Sequence, residues 1–142
     1  MSLAARLILL PVFIHVLIVF ALLISNARLR VRAARAREVR LKDVALDSRN
    51  WPEASHKIGN NYDNQFQLPL MWYALTAFIL TLGLADMVFA ILAWAFLVAR
   101  IAHTLVHTGN DNMTQRFFVF GGGAVILLVM WIWLGLRVFA FG

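Results

Sequence analysis

Arg100, His103 and His107 stand at i, i+3 and i+7, a spacing that puts all three on one face of a helix. Leu97, Ile101 and Leu105 fall on the opposite side. Arg100 lies well inside a long apolar run. Placing an arginine at the centre of a membrane helix costs about 2.5–3.5 kcal/mol, so it calls for a partner, a water-filled cleft or a ligand. One guanidinium and two imidazoles together offer donors and exchangeable protons, a combination suited to an anion. Arg116, just beyond, opens the next apolar run. A guanidinium at a helix N-terminus stabilises a thiolate or alkoxide on a bound molecule, through its charge and through the positive end of the helix dipole. The chain has no cysteine, so a thiol nucleophile would have to arrive with the ligand. His103 and His107 have the i, i+4 spacing of paired metal ligands. No third ligand accompanies them and Arg100 would repel a cation, so no metal site is expected. There is no Ser/His/Asp arrangement and no carboxylate pair.

A second polar group precedes the apolar run from Leu68 to Leu84. Asn60, Asn64 and Gln67 fall at i, i+4 and i+7 on one helical face, with Asn61, Asp63 and Gln65 among them. Amides at that depth need hydrogen-bond partners, supplied by neighbouring helices or by a polar ligand. Pro69 removes its own N–H and frees the carbonyl of Gln65. Arg28 and Arg30 end the first apolar run, at its mouth, where a polar ligand can reach them. His15, deep in that run, reads as a histidine bonded to a neighbouring helix.

The elements that carry these groups are membrane spans. Of the 142 residues, 62% are hydrophobic and 14% charged, against about 45–50% and about 25% in soluble domains. The excess lies in long runs. The chain is expected to be all-α: a single integral membrane domain over residues 1–142, a four-helix bundle with spans at about 3–27, 53–84, 86–108 and 115–140. The first run exceeds a signal-peptide h-region and is read as a retained helix. Between the first two spans lies a basic linker, residues 28–50, which holds most of the cations behind the net charge of +6. By the positive-inside rule this linker is cytoplasmic and both termini are periplasmic. The position of the charge fits lipid head groups rather than nucleic acid. Gly83 to Asp86 is too short for anything but a tight turn between antiparallel spans. Gly121, Gly122 and Gly123 permit close helix approach.

With this topology, polar groups from four helices meet at the inner face of the membrane. They outline a positive pocket for a small anion, open on its flank to an apolar molecule in the lipid.

The segment Ala99-Arg100-Ile101-Ala102-His103-Thr104, followed by Gly109 and Arg116, resembles the third-helix Arg-x-x-His-Thr pattern of the MAPEG family, membrane-associated proteins in eicosanoid and glutathione metabolism. Arg28-Leu29-Arg30 is similar to the basic end of that family's first helix. Asn64-Gln65-Phe66-Gln67-x-Pro69 is similar to the Asn-x-x-Glu motif of its second. The Asn60-Asn61 prefix and the Gln-Phe-Gln-Leu-Pro run look like a bacterial branch, which implies the inner membrane. The resemblance covers nearly the whole chain. It implies a homotrimer of four-helix subunits with glutathione bound between subunits near the cytoplasmic side. Carried over residue by residue, Arg116 is the thiolate-stabilising, catalytic arginine. Arg28, Asn64 and His103 contact glutathione, Arg100 is buried or faces the ligand, and Gln67 and His107 complete the binding set. Gln67 stands where the family has glutamate and His107 where it has tyrosine.

Two functions follow from these readings. One is a glutathione-dependent transferase or peroxidase acting on lipophilic electrophiles. The other is a non-catalytic membrane protein on the same scaffold, binding lipid or serving as an accessory subunit of a larger membrane complex.

Overall fold

A computed structural model of the chain describes residues 1–109 and 113–140, apart from the side chains of residues 107, 108 and 113. The described residues form helices joined by turns: α1 (Leu3–Arg35), α2 (Leu41–Leu46), a 3-10 turn at Ser48–Asn50, α3 (Glu53–Asn64), α4 (Leu68–Thr81), α5 (Met87–Gly109) and α6 (Met113–Phe139). Three helical segments are long and apolar enough to cross a membrane: Leu3–Arg35, Met87–Val106 and Thr114–Phe139. The protein is an all-helical integral membrane protein.

Two of the expected boundaries are corrected. The helix that carries the first span does not stop at residue 27: α1 continues through Arg28 and Arg30 to Arg35. Arginine and alanine are strong helix formers, so the basic segment carries the helix out of the apolar run rather than ending it. The helix stops in a Schellman turn. Arg37 adopts a left-handed conformation, φ 57°, while its N–H donates to Ala34 O and that of Glu38 to Ala33 O. The expected second span, 53–84, is two helices rather than one. Without its N–H, Pro69 cannot bond the carbonyl of Gln65, and the helix breaks at residues 65–67. At 1.5 Å per residue, the 14 residues of α4 reach only about 21 Å, short of the ~30 Å hydrocarbon layer. α4 then ends in a second Schellman turn, with Gly83 at φ 68° and Leu84 N–H donating to Ile79 O.

α5 packs between α1 and α6, and the α3–α4 segment lies across them, α3 on α1 and α5, α4 on α6 and α1. The end of the bundle that holds the α4–α5 turn is apolar inside. Ile8 of α1, Trp72, Leu75 and Ile79 of α4, Phe89, Ala93 and Phe96 of α5, and Leu127, Met130 and Leu134 of α6 form one buried cluster. Asp86 fastens this end. Its carboxylate accepts from Phe89 N–H in the first turn of α5 and from Trp133 Nε1, and pairs with Arg137 at the end of α6. Toward the other end, where α1 emerges and α5 gives way to α6, the interior turns polar.

Candidate functional site

Arg100 follows the apolar half of α5 and is 1% exposed. Its Nη2 donates to the backbone carbonyl of Asn64, 3.1 Å, and to Gln65 Oε1, 3.2 Å. Asn64 is the last residue of α3, where carbonyls lose their helical partners. The break at residues 65–67 therefore leaves a free acceptor and the negative end of a helix dipole facing a cation, both stabilising. Nε and Nη1 of Arg100 are buried with no hydrogen-bond partner. Among the described residues no carboxylate pairs with Arg100.

Gln65 joins this arginine to the rest of the bundle. It is fully buried. Its Oε1 meets His15 Nε2 at 3.0 Å as well as Arg100. Its Nε2 donates to Asn61 O and Oδ1, 3.0 and 2.9 Å, and to Thr104 Oγ1, 3.3 Å. Asn61 in turn donates to Thr104 O. These contacts fix the protonation pattern of His15. Because Gln65 Oε1 can only accept, His15 Nε2 carries the proton. His15 Nδ1 is then an acceptor, and the Tyr73 hydroxyl, 2.5 Å away, donates to it. The line Tyr73–His15–Gln65–Arg100 thus runs through α4, α1, the α3–α4 break and α5. Amides and imidazole of this kind are tolerated in a membrane interior because each finds a partner in another helix.

His103, one turn along α5 from Arg100, is also buried, 3% exposed. Its ring packs on Phe120 of α6 at 5.8 Å. Arg116 is half-buried in the first turn of α6. A second polar node holds α1 to α3. Ser55 Oγ donates to Asn26 Oδ1 at 3.0 Å, Arg30 Nε donates to Ser55 Oγ at 3.4 Å, and the Arg30 guanidinium lies over Trp51 at 5.1 Å. Gly59 belongs to this node, since a Cβ there would stand 3.5 Å from the Asn26 amide.

Of the residues singled out in the sequence, the structure draws Arg100 and Asn64 together through the Asn64 carbonyl, and places His103 beside them on α5. Arg30 is engaged by Ser55 and Trp51. Arg28 and Gln67 are exposed on the surface of the chain and take no part in this network. His107 is in α5, but its side chain lies outside the described residues. The expected amide face is also corrected. Asn60 and Gln67 are exposed, whereas Asn61 and Gln65 are buried. The sequence contained a signal for the buried face. Asn61, Gln65, Leu68, Trp72, Leu75 and Ile79 follow a spacing of four and three that runs straight into the bulkiest apolar stripe of α4. The alternative face continues as Met71, Ala74 and Phe78, none of them buried. His15 is bonded to neighbouring helices as its position in the sequence implied; that Tyr73 and Thr104 join the same network is not readable from the sequence, because their partners are distant in it.

The chemistry of this donor set is anion binding. Arg100 brings two unpartnered donor nitrogens and a full charge into a low-dielectric interior, where a hydrogen bond to a charged group is strong. Among the described residues no three His, Asp or Glu side chains gather as a metal site would require.

Comparison with known proteins gives one match. No curated protein and no solved structure matches the chain. A family model, that of the MAPEG family, matches residues 8–136. That span takes in α2 to α5, most of α1 and α6, the Arg100–Gln65 network and Arg116, and the chain belongs to the MAPEG family.

Proposed function

We propose that this protein is a glutathione-dependent transferase or peroxidase acting on lipophilic electrophiles, assembled as a homotrimer in a bacterial inner membrane. The basic end of α1 faces the cytoplasm. The observation that carries the reading is Arg100: a buried guanidinium with two nitrogens unpartnered and, among the described residues, no carboxylate paired with it, one turn from a buried histidine. Membership of the MAPEG family supports glutathione as the anion, and the donor set fits its carboxylates.

Bound glutathione supplies the thiol nucleophile that a chain without cysteine lacks. The protein's part is to hold and polarise. Arg100 and His103 form the interior wall of the site, and Asn64 stands at its edge. Arg116, in the first turn of α6, adds its charge to the positive end of the helix dipole and favours a thiolate there. Arg28 and Gln67 are exposed on the single chain, and in this reading they meet the ligand at the boundary with a neighbouring copy. The lipid-facing flank admits the apolar electrophile.

The test is conjugation of glutathione to a chloronitrobenzene by the purified, reconstituted protein, followed by absorbance. Wild-type protein should turn over, and Arg116→Ala should lose about 10²–10³-fold in kcat, the usual cost of one oriented charge-stabilising donor. Absence of turnover in the wild type, or full activity in Arg116→Ala, would contradict the assignment. The second reading is a non-catalytic lipid-binding or accessory subunit. It is favoured by Gln67 and His107 standing where the family has glutamate and tyrosine, and it requires co-purification with another chain at fixed stoichiometry.

A further inference from the structure

Where α1 leaves its apolar run, Arg28, Arg32 and Arg35 stand at i, i+4 and i+7 on one side of the helix. Ile24, Ala27 and Val31 share that side. All six are exposed, because α3 holds the other side of α1 through Asn26 and Arg30. Together they line a groove of about 720 Å³. Among the described residues none of the three arginines forms an ion pair. Asp43, Asp47 and Glu53 are already paired, with Arg40, Arg49 and Lys57. Glu38 shares a smaller cleft with Arg32 without pairing with it. A helix C-terminus favours cations in its last turn, which accounts for Arg32 and Arg35. It does not account for Arg28, two turns before Arg35, or for the exposed aliphatic side chains interleaved with the charges.

Arg28 to Arg35 extends about 10 Å along the helix at 1.5 Å per residue, enough to cross the headgroup layer, ~5–8 Å on each side of the hydrocarbon. Leu41 and Leu46 of α2, beside Lys42, are 67% and 90% exposed. They give the basic linker two further apolar side chains of the kind that dip into that layer. Guanidinium forks match a phosphate, and Ile24 and Val31 match an acyl chain. A second copy of the chain matches poorly, since it brings a net charge of +6 to a positive face.

We propose that this face of α1 is a site for one anionic glycerophospholipid, its phosphate held by Arg32 and Arg35, with Arg28 at the hydrocarbon edge and an acyl chain along Val31 and Ile24. The proposal stands apart from the glutathione reading, and Arg28, which both use, is left intact in its test.

Native mass spectrometry of the purified protein in neutral detergent, titrated with phosphatidylglycerol or with phosphatidylcholine of the same acyl chains, decides the matter. The wild type should take up one phosphatidylglycerol per chain saturably, and phosphatidylcholine at least about tenfold more weakly. Arg32→Gln with Arg35→Gln should weaken phosphatidylglycerol binding about thirtyfold, the usual contribution of two arginines at an anionic surface. Arg40→Gln with Lys42→Gln removes the same charge from the same linker and should weaken it less than about threefold. All four side chains are exposed, so both variants should keep the helical circular dichroism of the wild type. Equal binding of the two lipids, or equal losses in the two double variants, would overturn the proposal in favour of diffuse charge. Displacement of the lipid by inorganic phosphate, beyond that caused by sodium chloride at equal ionic strength, would overturn it in favour of a soluble anion. A changed oligomeric state in the Arg32/Arg35 variant with lipid binding unchanged would give the face to a second copy.

Discussion

Gln65 and Arg100 share one hydrogen bond but have opposite energetic roles. Gln65 satisfies two buried donors, so Gln65→Leu should destabilise the protein by about 2–4 kcal/mol by leaving Arg100 Nη2 and His15 Nε2 without their common acceptor. Arg100 is itself an expense to the fold, a buried charge with two unpartnered donor nitrogens. Arg100→Met should therefore leave stability unchanged or raise it by about 1–2 kcal/mol, while removing the positive wall of the site. Unfolding in detergent, followed by circular dichroism, measures both. A loss in Arg100→Met larger than in Gln65→Leu would mark the arginine as structural. Arg100 stood out in the sequence because a charge inside an apolar run calls for a partner, and it has them in the Asn64 carbonyl and Gln65. Gln65 did not stand out, because an amide is equally at home on either of two adjacent faces. Only the partner, His15, fifty positions earlier in the chain, decides between them.

The helices were legible wherever an apolar run exceeded the thickness of a membrane, as in α5 and α6. Their ends depended on local chemistry that periodicity does not report. Two matching Schellman turns illustrate this. At Gly83, φ 68°, a side chain would meet nothing within 4 Å, so the cost of Gly83→Ala is purely conformational, about 1–2 kcal/mol. At Arg37 the same left-handed position already bears a side chain, and Arg37→Gly should gain up to about 1 kcal/mol. Melting temperatures of the two variants should move in opposite directions; a shift of the same sign would refute the reading of these turns. The split between α3 and α4 has the same character. Pro69 was visible as a residue that frees a carbonyl. Its consequence, a helix end turned toward Arg100, required the position of α5.

At the scale of the molecule, the bundle is apolar at the α4–α5 turn and polar at the end where the arginines of α1 emerge. The charge pattern predicts an orientation, and the absence of cysteine from the sequence makes it easy to test. A cysteine introduced at Ser2 should react with a membrane-impermeant maleimide from outside intact cells, and one at Lys42 only after the membrane is opened; the reverse pattern would invert the orientation. Of the glycines Gly121, Gly122 and Gly123, only Gly123 faces a neighbour within the chain, with Ala99 and Phe96 at 3.8 and 3.9 Å from where a Cβ would stand. The other two leave a smooth surface available to a second copy, in keeping with the proposed trimer. The central claim is that a buried, uncompensated arginine holds an anionic thiol at the inner end of this bundle. Equilibrium binding of radiolabelled glutathione to wild-type protein and to Arg100→Met, both shown folded, tests it most directly. The account predicts saturable binding in the wild type and a loss of at least about tenfold in the variant, the loss of a charge-assisted contact. Undetectable binding in the wild type, or equal binding in both, would contradict it.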